Sequence, residues 1–335
     1  MPADSKKLLI IDSNSIIHRA FHALPPLTTK RGEMVSAVYG FLLVFLKAVK
    51  DFQPDYIAAC FDVRGPTFRH KKYKEYKAKR PAAPKELYEQ IPKVKEVLSG
   101  FSVAVFEKEG FEADDIIGTI ADKASRKQIM PQGKEDESSS SPFAIAREIE
   151  IIILSGDLDA LQLVTPKTKV YSLRKGVKDI ILYDEKLVKE KFQGLIPKQL
   201  LDFKALRGDP SDNIPGVTGI GEKTAIHLLL KFNNLENLYK EVEENSEKAK
   251  TLSQKLKETL LQYKEQAFLS KYLAEIEKNV PIDFDLSKCR WGQYDKEGAI
   301  KTLKSFEFYS LVEKLTGPKE RPIKSVRSGE NLKLW

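Results

Sequence analysis

Short apolar runs that end on an acid constrain this chain more than any other feature. Residues 8–11 (LLII) are followed at once by Asp12, and residues 56–61 (YIAACF) by Asp62. Residues 103–106 precede the stretch FEADDIIGTIADK, which opens a helix with Glu112, Asp114 and Asp115. Residues 149–154 (IEIIIL) run into Ser155, Gly156, Asp157, Leu158 and Asp159. Helical segments separate the runs, among them the strongly apolar stretch 35–52. Apolar strands alternating with helices predict an α/β fold whose parallel sheet is covered on both faces. In such a sheet the functional crevice lies beyond the carboxyl ends of the strands, which is where these acids fall.

Taken singly, each acid also fits a helix N-cap, a turn, or a complement to a helix dipole. Together they describe an acidic pocket. Like charges packed this closely repel, and desolvating them costs more still. A divalent cation relieves that cost. Hard carboxylate oxygens without a matching thiolate or imidazole set favour Mg²⁺ or Mn²⁺. His18 and His22 lie four apart on one helix face, but no third nitrogen or sulfur ligand is in view. Packing or hydrogen bonding is their expected role. Cys60 and Cys289 form neither a metal-ligand spacing nor a disulfide framework.

An acidic pocket in a chain of formal charge +8 makes the composition informative. The positive excess points to a polyanionic partner, nucleic acid foremost. It concentrates just past Asp62, where Arg64, Arg69, Lys71, Lys72, Lys74, Lys77, Lys79 and Arg80 interleave with Phe68, Tyr73 and Tyr76. If that stretch is helical, Tyr73, Lys77 and Arg80 share a face. Cations with aromatic rings suit single-stranded nucleic acid; a solvated basic loop is the plainer alternative. The longest apolar runs are far too short to span a bilayer, and the N-terminus lacks the layout of a signal peptide. The expected location is the cytoplasm.

After residues 180–182 the chain turns polar and helical. Residues 206–232 carry Asp209 and Asp212 around a proline-containing turn. Gly216, Gly219 and Gly221 then open a helix bearing Lys223 and Thr224. Glu222 stands where a P-loop needs lysine, so the stretch reads as a helix–hairpin–helix. Its glycine turn lets backbone amides approach a DNA phosphate, and the helix N-terminus and Lys223 add attraction. Residues 243–279 predict a long charged helix and residues 306–315 a short one. The segment 126–147, with its serine run and acidic patch, predicts a mobile surface insertion.

The motifs LLIIDSNSIIHRAFHAL, AVYGF, FDVRGPTFRHKKYKEYKAKRP, FEADDIIGTIA, SGDLDALQLV and RGDPSDNIPGVTGIGEKTA closely resemble those of the 5′-nuclease domain of bacterial DNA polymerase I and its stand-alone relatives. These belong to the wider flap-endonuclease family, and the resemblance runs from about residue 8 to about residue 315. It implies a PIN-like (Rossmann-like) nuclease core over residues 1–182, with a basic arch at about 64–92 and the insertion at about 126–147. A helical, SAM-like helix–hairpin–helix domain with C-terminal helices follows over 183–316, and a flexible tail over 317–335.

The same resemblance implies a two-metal centre. Its ligands map onto Asp12, Asp62, Glu112, Asp114, Asp115, Asp157, Asp159, Asp209 and Asp212. Asp209 and Asp212 would reach metal through water or orient other ligands. Lys77 and Arg80 map near the scissile phosphate. Arg69, Lys72, Tyr73 and Tyr76 map onto DNA contacts of the arch, and Gly216, Gly219, Gly221, Lys223 and Thr224 onto those of the hairpin, which in relatives holds a cation such as K⁺. Leu158, where relatives usually carry lysine, and Lys71, in place of a common acid, depart from the pattern. The implied activity is that of a structure-specific 5′-3′ exonuclease and flap endonuclease using two Mg²⁺ ions. It would remove 5′ flaps and RNA primers from branched or nicked DNA in replication and repair. The expected setting is a monomer at the bacterial nucleoid, with a DNA polymerase in cis or in trans. A binding-only protein has no need for such concentrated negative charge facing DNA, and PIN-type ribonucleases typically lack the hairpin domain.

Overall fold

The structure, a computed structural model, describes residues 5–127, 148–177 and 179–316. The expected insertion, apart from Arg126 and Lys127, and the expected tail lie outside the described residues. Six strands form one sheet in the order β3-β2-β1-β4-β5-β6. They are β1 (Lys6–Asp12), β2 (Tyr56–Phe61), β3 (Ala104–Glu107), β4 (Ile149–Ser155), β5 (Thr168–Lys175) and β6 (Asp179–Tyr183). All neighbours pair in parallel except β5 and β6. Strand β5 is absent from the sequence expectation, because TKVYSLRK mixes polar residues into the run instead of announcing itself as a solid apolar core strand.

The central strand shows why its sequence is apolar throughout. Successive side chains of a strand point to opposite faces. Leu8 and Ile10 of β1 pack with Ile116, Ile117 and Ile120 of the long helix that follows β3. Leu9 and Ile11 pack on the other face with Ile16, Phe41 and Phe45. The helices of the α/β unit are α1 (Ser13–Ala23), α2 (Ser36–Phe52), α3 (Phe68–Lys72), α4 (Lys85–Tyr88), α5 (Ile91–Gly100) and α6 (Ala113–Ser125). Parallel strands end on one edge, so Asp12, Asp62 and the Ser155–Asp157 turn emerge side by side.

The helical part comprises α7 (Glu185–Lys191), α8 (Leu200–Arg207), α9 (Glu222–Phe232), α10 (Leu235–Glu243), α11 (Glu247–Lys250), α12 (Gln254–Gln262) and α13 (Lys264–Ala274). The single helix expected over 243–279 is instead broken into pieces. Asn245 adopts a left-handed φ of 48°. The Ser246 and Ser253 hydroxyls then accept the amides of Ala249 (3.2 Å) and Leu256 (3.3 Å) as N-caps, each starting a new helix. Two further helices, α14 (Lys296–Ser305) and α15 (Tyr309–Thr316), return to the α/β unit. There Ala299, Leu303 and Leu311 join Phe41, Phe45 and Phe101 in one apolar cluster. The helical layer shares a continuous core with the α6 face of the sheet, and the last two helices close the opposite face.

Candidate active site

A cavity of about 340 Å³ opens where the strands end, and Asp12, Asp62, Glu112, Asp114, Asp157 and Asp212 line it. Local structure fixes these side chains. Asp12 caps α1, its Oδ1 accepting the Ser15 amide at 3.1 Å, while its Oδ2 accepts the Ser155 hydroxyl at 2.6 Å. Asp62 Oδ1 accepts the Ala113 amide at 2.8 Å, which draws the N-terminus of α6 to the cavity. The Asp62 amide in turn donates to Asn14 Oδ1 at 3.1 Å. Glu112 is the N-cap residue of α6, and Asp114 sits in its first turn. A larger cavity of about 580 Å³ lies among Lys198, Asp202 and Lys271. Its acids share a cation, Lys271 Nζ lying 2.7 Å from both Asp202 Oδ1 and Glu236 Oε1.

Three cations of the protein are threaded among the acids. Lys77 Nζ lies 2.8 Å from Glu112 Oε2 and 3.8 Å from Asp212 Oδ2. Arg80 pairs with Asp212. Lys204, on α8, lies 2.7 Å from Asp209 Oδ2 and also pairs with Asp159. Asp209 is held further by the Ser211 amide (2.9 Å) and hydroxyl (2.7 Å). Among the described residues no three His, Cys, Asp or Glu side chains converge closely enough to hold a metal ion as they stand.

The donor chemistry nonetheless fits a hard divalent ion. Burial, with repulsion from Asp62 and Asp157, pushes the Asp12 carboxyl up to about 7 against the bonds from Ser155 and Ser15. Burial, with repulsion from Asp12, Asp157 and Asp159, pushes Asp114 well above the usual carboxylate range. Burial also lifts Asp159 to about 7 although Lys204 opposes it. Burial would lift Asp209 too, but there Lys204 and Ser211 prevail and bring it down to about 2. One lysine cannot neutralise both acids, and Asp159 faces Asp157 and Asp209 at once. These carboxylates are short of positive charge, which an oxygen-loving cation would supply.

The arch departs from its expected form. Helix α3 ends at Lys72, and residues 73–80 continue as successive turns. Lys77 takes a left-handed φ of 55°, and its amide donates to Asp212 O at 2.8 Å. Long-range bonds thus override the helical pattern, and Tyr73, Lys77 and Arg80 do not share a helix face. Tyr76 is 3% exposed, its hydroxyl donating to Glu112 Oε2 (3.1 Å) and Asp212 Oδ2 (3.3 Å), so it orients acids and offers no ring to a base. Tyr73 is half-buried beside it, and Lys72 is exposed. Arg69, expected at DNA, is 2% exposed and bound to Asp115. Asp115, expected at metal, is fully buried, and its oxygens are taken by Arg69 and by two backbone amides.

In the hairpin, Gly216 is turned inward. Its amide donates to Ser270 Oγ (3.0 Å) and its carbonyl accepts from Gln266 (2.7 Å), so neither faces outward. Gly219, Gly221 and Lys223 are exposed and Thr224 half-buried at the start of α9. Exposed Leu158 lies between Asp157 and Asp159. Sequence reasoning missed Lys204, Ser155 and Asn14. Only Lys204 left a signal, a lysine among the buried Phe203, Ala205 and Leu206 of α8. It also gave His18 no part in the site, yet His18 lines the cavity. Burial, then His22 and Arg80, lower its pKa and keep it neutral.

Comparison with known proteins agrees with this architecture. Residues 7–133 match the family model described as 5′-3′ exonuclease, N-terminal resolvase-like domain, and residues 195–297 match 5′-3′ exonuclease, C-terminal SAM fold. DNA polymerase I of Bacillus subtilis (strain 168) is 41% identical over 312 residues, 93% of this chain and 32% of that protein. DNA polymerase I of Caldicellulosiruptor bescii is 41% identical over 313 residues, 92% of this chain and 33% of that protein. The chain thus spans about a third of the length of these curated relatives. Among solved structures, zinc-bound T5 5′-exonuclease is 20% identical with a TM-score of 0.59, covering 91% of this chain and 98% of that one. The catalytic core of Rad2 in complex with DNA substrate is 18% identical with a TM-score of 0.53, covering 93% and 92%. At such identity these two share the fold. The acids at the strand ends, the hairpin before α9 and the paired family matches lead to one conclusion: the chain belongs to the 5′-3′ exonuclease family.

Proposed function

We propose that the chain is a metal-dependent, structure-specific 5′ nuclease that hydrolyses phosphodiesters at 5′ flaps, nicks and RNA-primer junctions. The observation that carries this reading is a cavity where six carboxylates meet Lys77 and Arg80. Asp12, Asp62, Glu112, Asp114, Asp157 and Asp159 would hold two Mg²⁺ ions, with Mn²⁺ as a substitute. Asp209 and Asp212 act by orienting their neighbours. Bound Mg²⁺ supplies a Lewis acid and lowers the pKa of water at the site. Lys77 and Arg80 neutralise charge developing on the scissile phosphate. Tyr76 holds Glu112 and Asp212 in place for that task.

The turn from Gly219 to Lys223, exposed except at the buried Ile220, grips the duplex backbone through amides and the N-terminus of α9. Its carbonyls would take a monovalent cation such as K⁺. Lys72 and the exposed lysines of the arch attract the 5′ strand. Because the contacts go to phosphates, binding should weaken strongly with salt. The T5 relative binds zinc and the Rad2 relative binds DNA substrate, and both share this fold. The curated relatives are DNA polymerases, so a polymerase in cis or in trans is the natural companion of this activity. No described helix is long and apolar enough to cross a membrane, and we place the protein at the bacterial nucleoid as a monomer.

The test is cleavage of a double-flap DNA labelled at its 5′ end, with Mg²⁺ and with EDTA. Short labelled products that appear only with Mg²⁺ support the reading. Tight binding without cleavage in Mg²⁺ or Mn²⁺ would favour a binding protein that has kept the fold.

A further inference from the structure

Arg69 and Asp115 sit where three segments of the chain meet. Arg69 Nη1 and Nη2 donate to Asp115 Oδ2 (2.8 Å) and Oδ1 (2.7 Å), a bidentate pair. The same guanidinium donates through Nε to Leu273 O (2.9 Å) and through Nη2 to Glu275 O (2.5 Å), both just where α13 ends. Asp115 also accepts the amides of Glu112 (3.0 Å) and Glu277 (2.9 Å). With about four acceptor positions on a carboxylate, these donors fill it. The seam continues along α6. Thr119 Oγ1 accepts the Val280 amide at 3.0 Å. A Cβ on Gly118 would meet Ile276 Cγ2 at 2.6 Å, so the segment after α13 lies flush against the helix.

We propose that Asp115 is not a metal ligand and that the Arg69–Asp115 pair is a positioning joint. This rests on the nuclease reading above. The pair ties the root of the arch to the N-terminus of α6 and to the exit of the helical unit. It thereby fixes Glu112, whose Oε2 lies 3.5 Å from Arg69 Nη1, relative to both DNA-gripping parts. DNA held by the hairpin then meets the carboxylates at one set distance. Lysine cannot replace this arginine, because it carries charge without the planar fork.

The experiment counts bound Mn²⁺ by electron paramagnetic resonance on DNA-free protein. It also measures flap cleavage well below each variant's melting temperature. Asp115→Asn and Arg69→Lys should each bind as many Mn²⁺ ions as the wild type. Their kcat should fall ~10–100-fold, as when a partner of a metal ligand is removed, while KM for the flap holds. Asp114→Asn should lose an ion outright. Loss of an ion from Asp115→Asn would make Asp115 a ligand and overturn the proposal. Wild-type kcat in both variants would leave the pair a mere stabiliser and overturn it equally. If Asp115→Asn does not fold, Arg69→Lys carries both readouts. A wild-type protein that binds no Mn²⁺ and cuts no flap would defeat the nuclease reading itself, and the joint with it.

Discussion

The Ser155 hydroxyl donates a 2.6 Å hydrogen bond to Asp12 Oδ2, and Ser155 Oγ itself accepts the amide of Asp157 at 2.9 Å. One fully buried side chain thus couples Asp12, at the end of β1, to the backbone of Asp157 in the turn that follows β4. In Ser155→Ala, a buried Asp12 oxygen loses its donor and the Asp157 amide loses its acceptor. The expected result is a loss of ~1–3 kcal/mol in urea unfolding. Flap cleavage should fall ~10–100-fold, since both acids lose their registration. Cleavage at the wild-type rate would show that the acids hold their places without Ser155.

The raised carboxyls make a pH prediction whose sign is fixed. Burial holds the Asp12 and Asp159 carboxyls up at about 7 in the folded chain, against about 3.9 for an unperturbed aspartate. Between those values the native state binds more protons than the unfolded state, so rising pH lowers stability across that window. In EDTA the melting temperature should therefore fall as pH rises through 7. A cation bound by the same oxygens replaces the protons. Mg²⁺ should then raise the melting temperature more at about pH 8 than at about pH 6. An equal rise at both would mean the ion does not engage these acids.

What was legible in the sequence and what was not follow from range. A strand buried on both faces has no place for charge except at its end, so Asp12 and Asp62 announced the crevice unaided. The acids of α6 were legible as a group, but their division of labour was not. Asp114 lines the cavity, while its neighbour Asp115 turns to Arg69, 46 residues away in the chain. Local sequence encodes no such partner. The basic, aromatic pattern of 68–80 suggested a helix, and Tyr76 and Lys77 instead follow their bonds to Glu112 and Asp212. The broken helix beyond residue 243 was readable in principle, since Ser246 and Ser253 are good N-caps.

Lys204 links the helical unit to an acid of the α/β unit, touching Asp159 together with Asp209 of its own unit. Lys204→Met removes the cation and leaves two half-buried carboxylates facing each other. Breaking a fully buried pair costs about 3–5 kcal/mol, and the partial exposure of these side chains makes the loss smaller. The drop in melting temperature should be larger in EDTA than in Mg²⁺, because a divalent ion can take over the charge. A drop of the same size in both would argue that Lys204 serves packing alone.

The hairpin glycines should separate shape from space. Gly216 and Gly219 both lie in the left-handed region, at φ 64° and 83°. An L-residue there costs ~1–2 kcal/mol from backbone strain alone. For Gly219 nothing else intervenes, since a Cβ would meet no atom within 4 Å. Gly219→Ala should lose only that strain in urea unfolding, and its duplex binding should weaken alike for unrelated DNA sequences, because amides near phosphate read no bases. For Gly216 a Cβ would sit 2.3 Å from the Gly208 amide nitrogen, a backbone atom that cannot swing aside. The two turns around Asp209 and Asp212 would have to part. Gly216→Ala should therefore lose stability well beyond Gly219→Ala, and cleavage should drop with it as Asp212 leaves Arg80 and Tyr76. Equal losses in the two variants would mean that the hairpin yields at Gly208 and that its close packing does not hold Asp212 at the cavity.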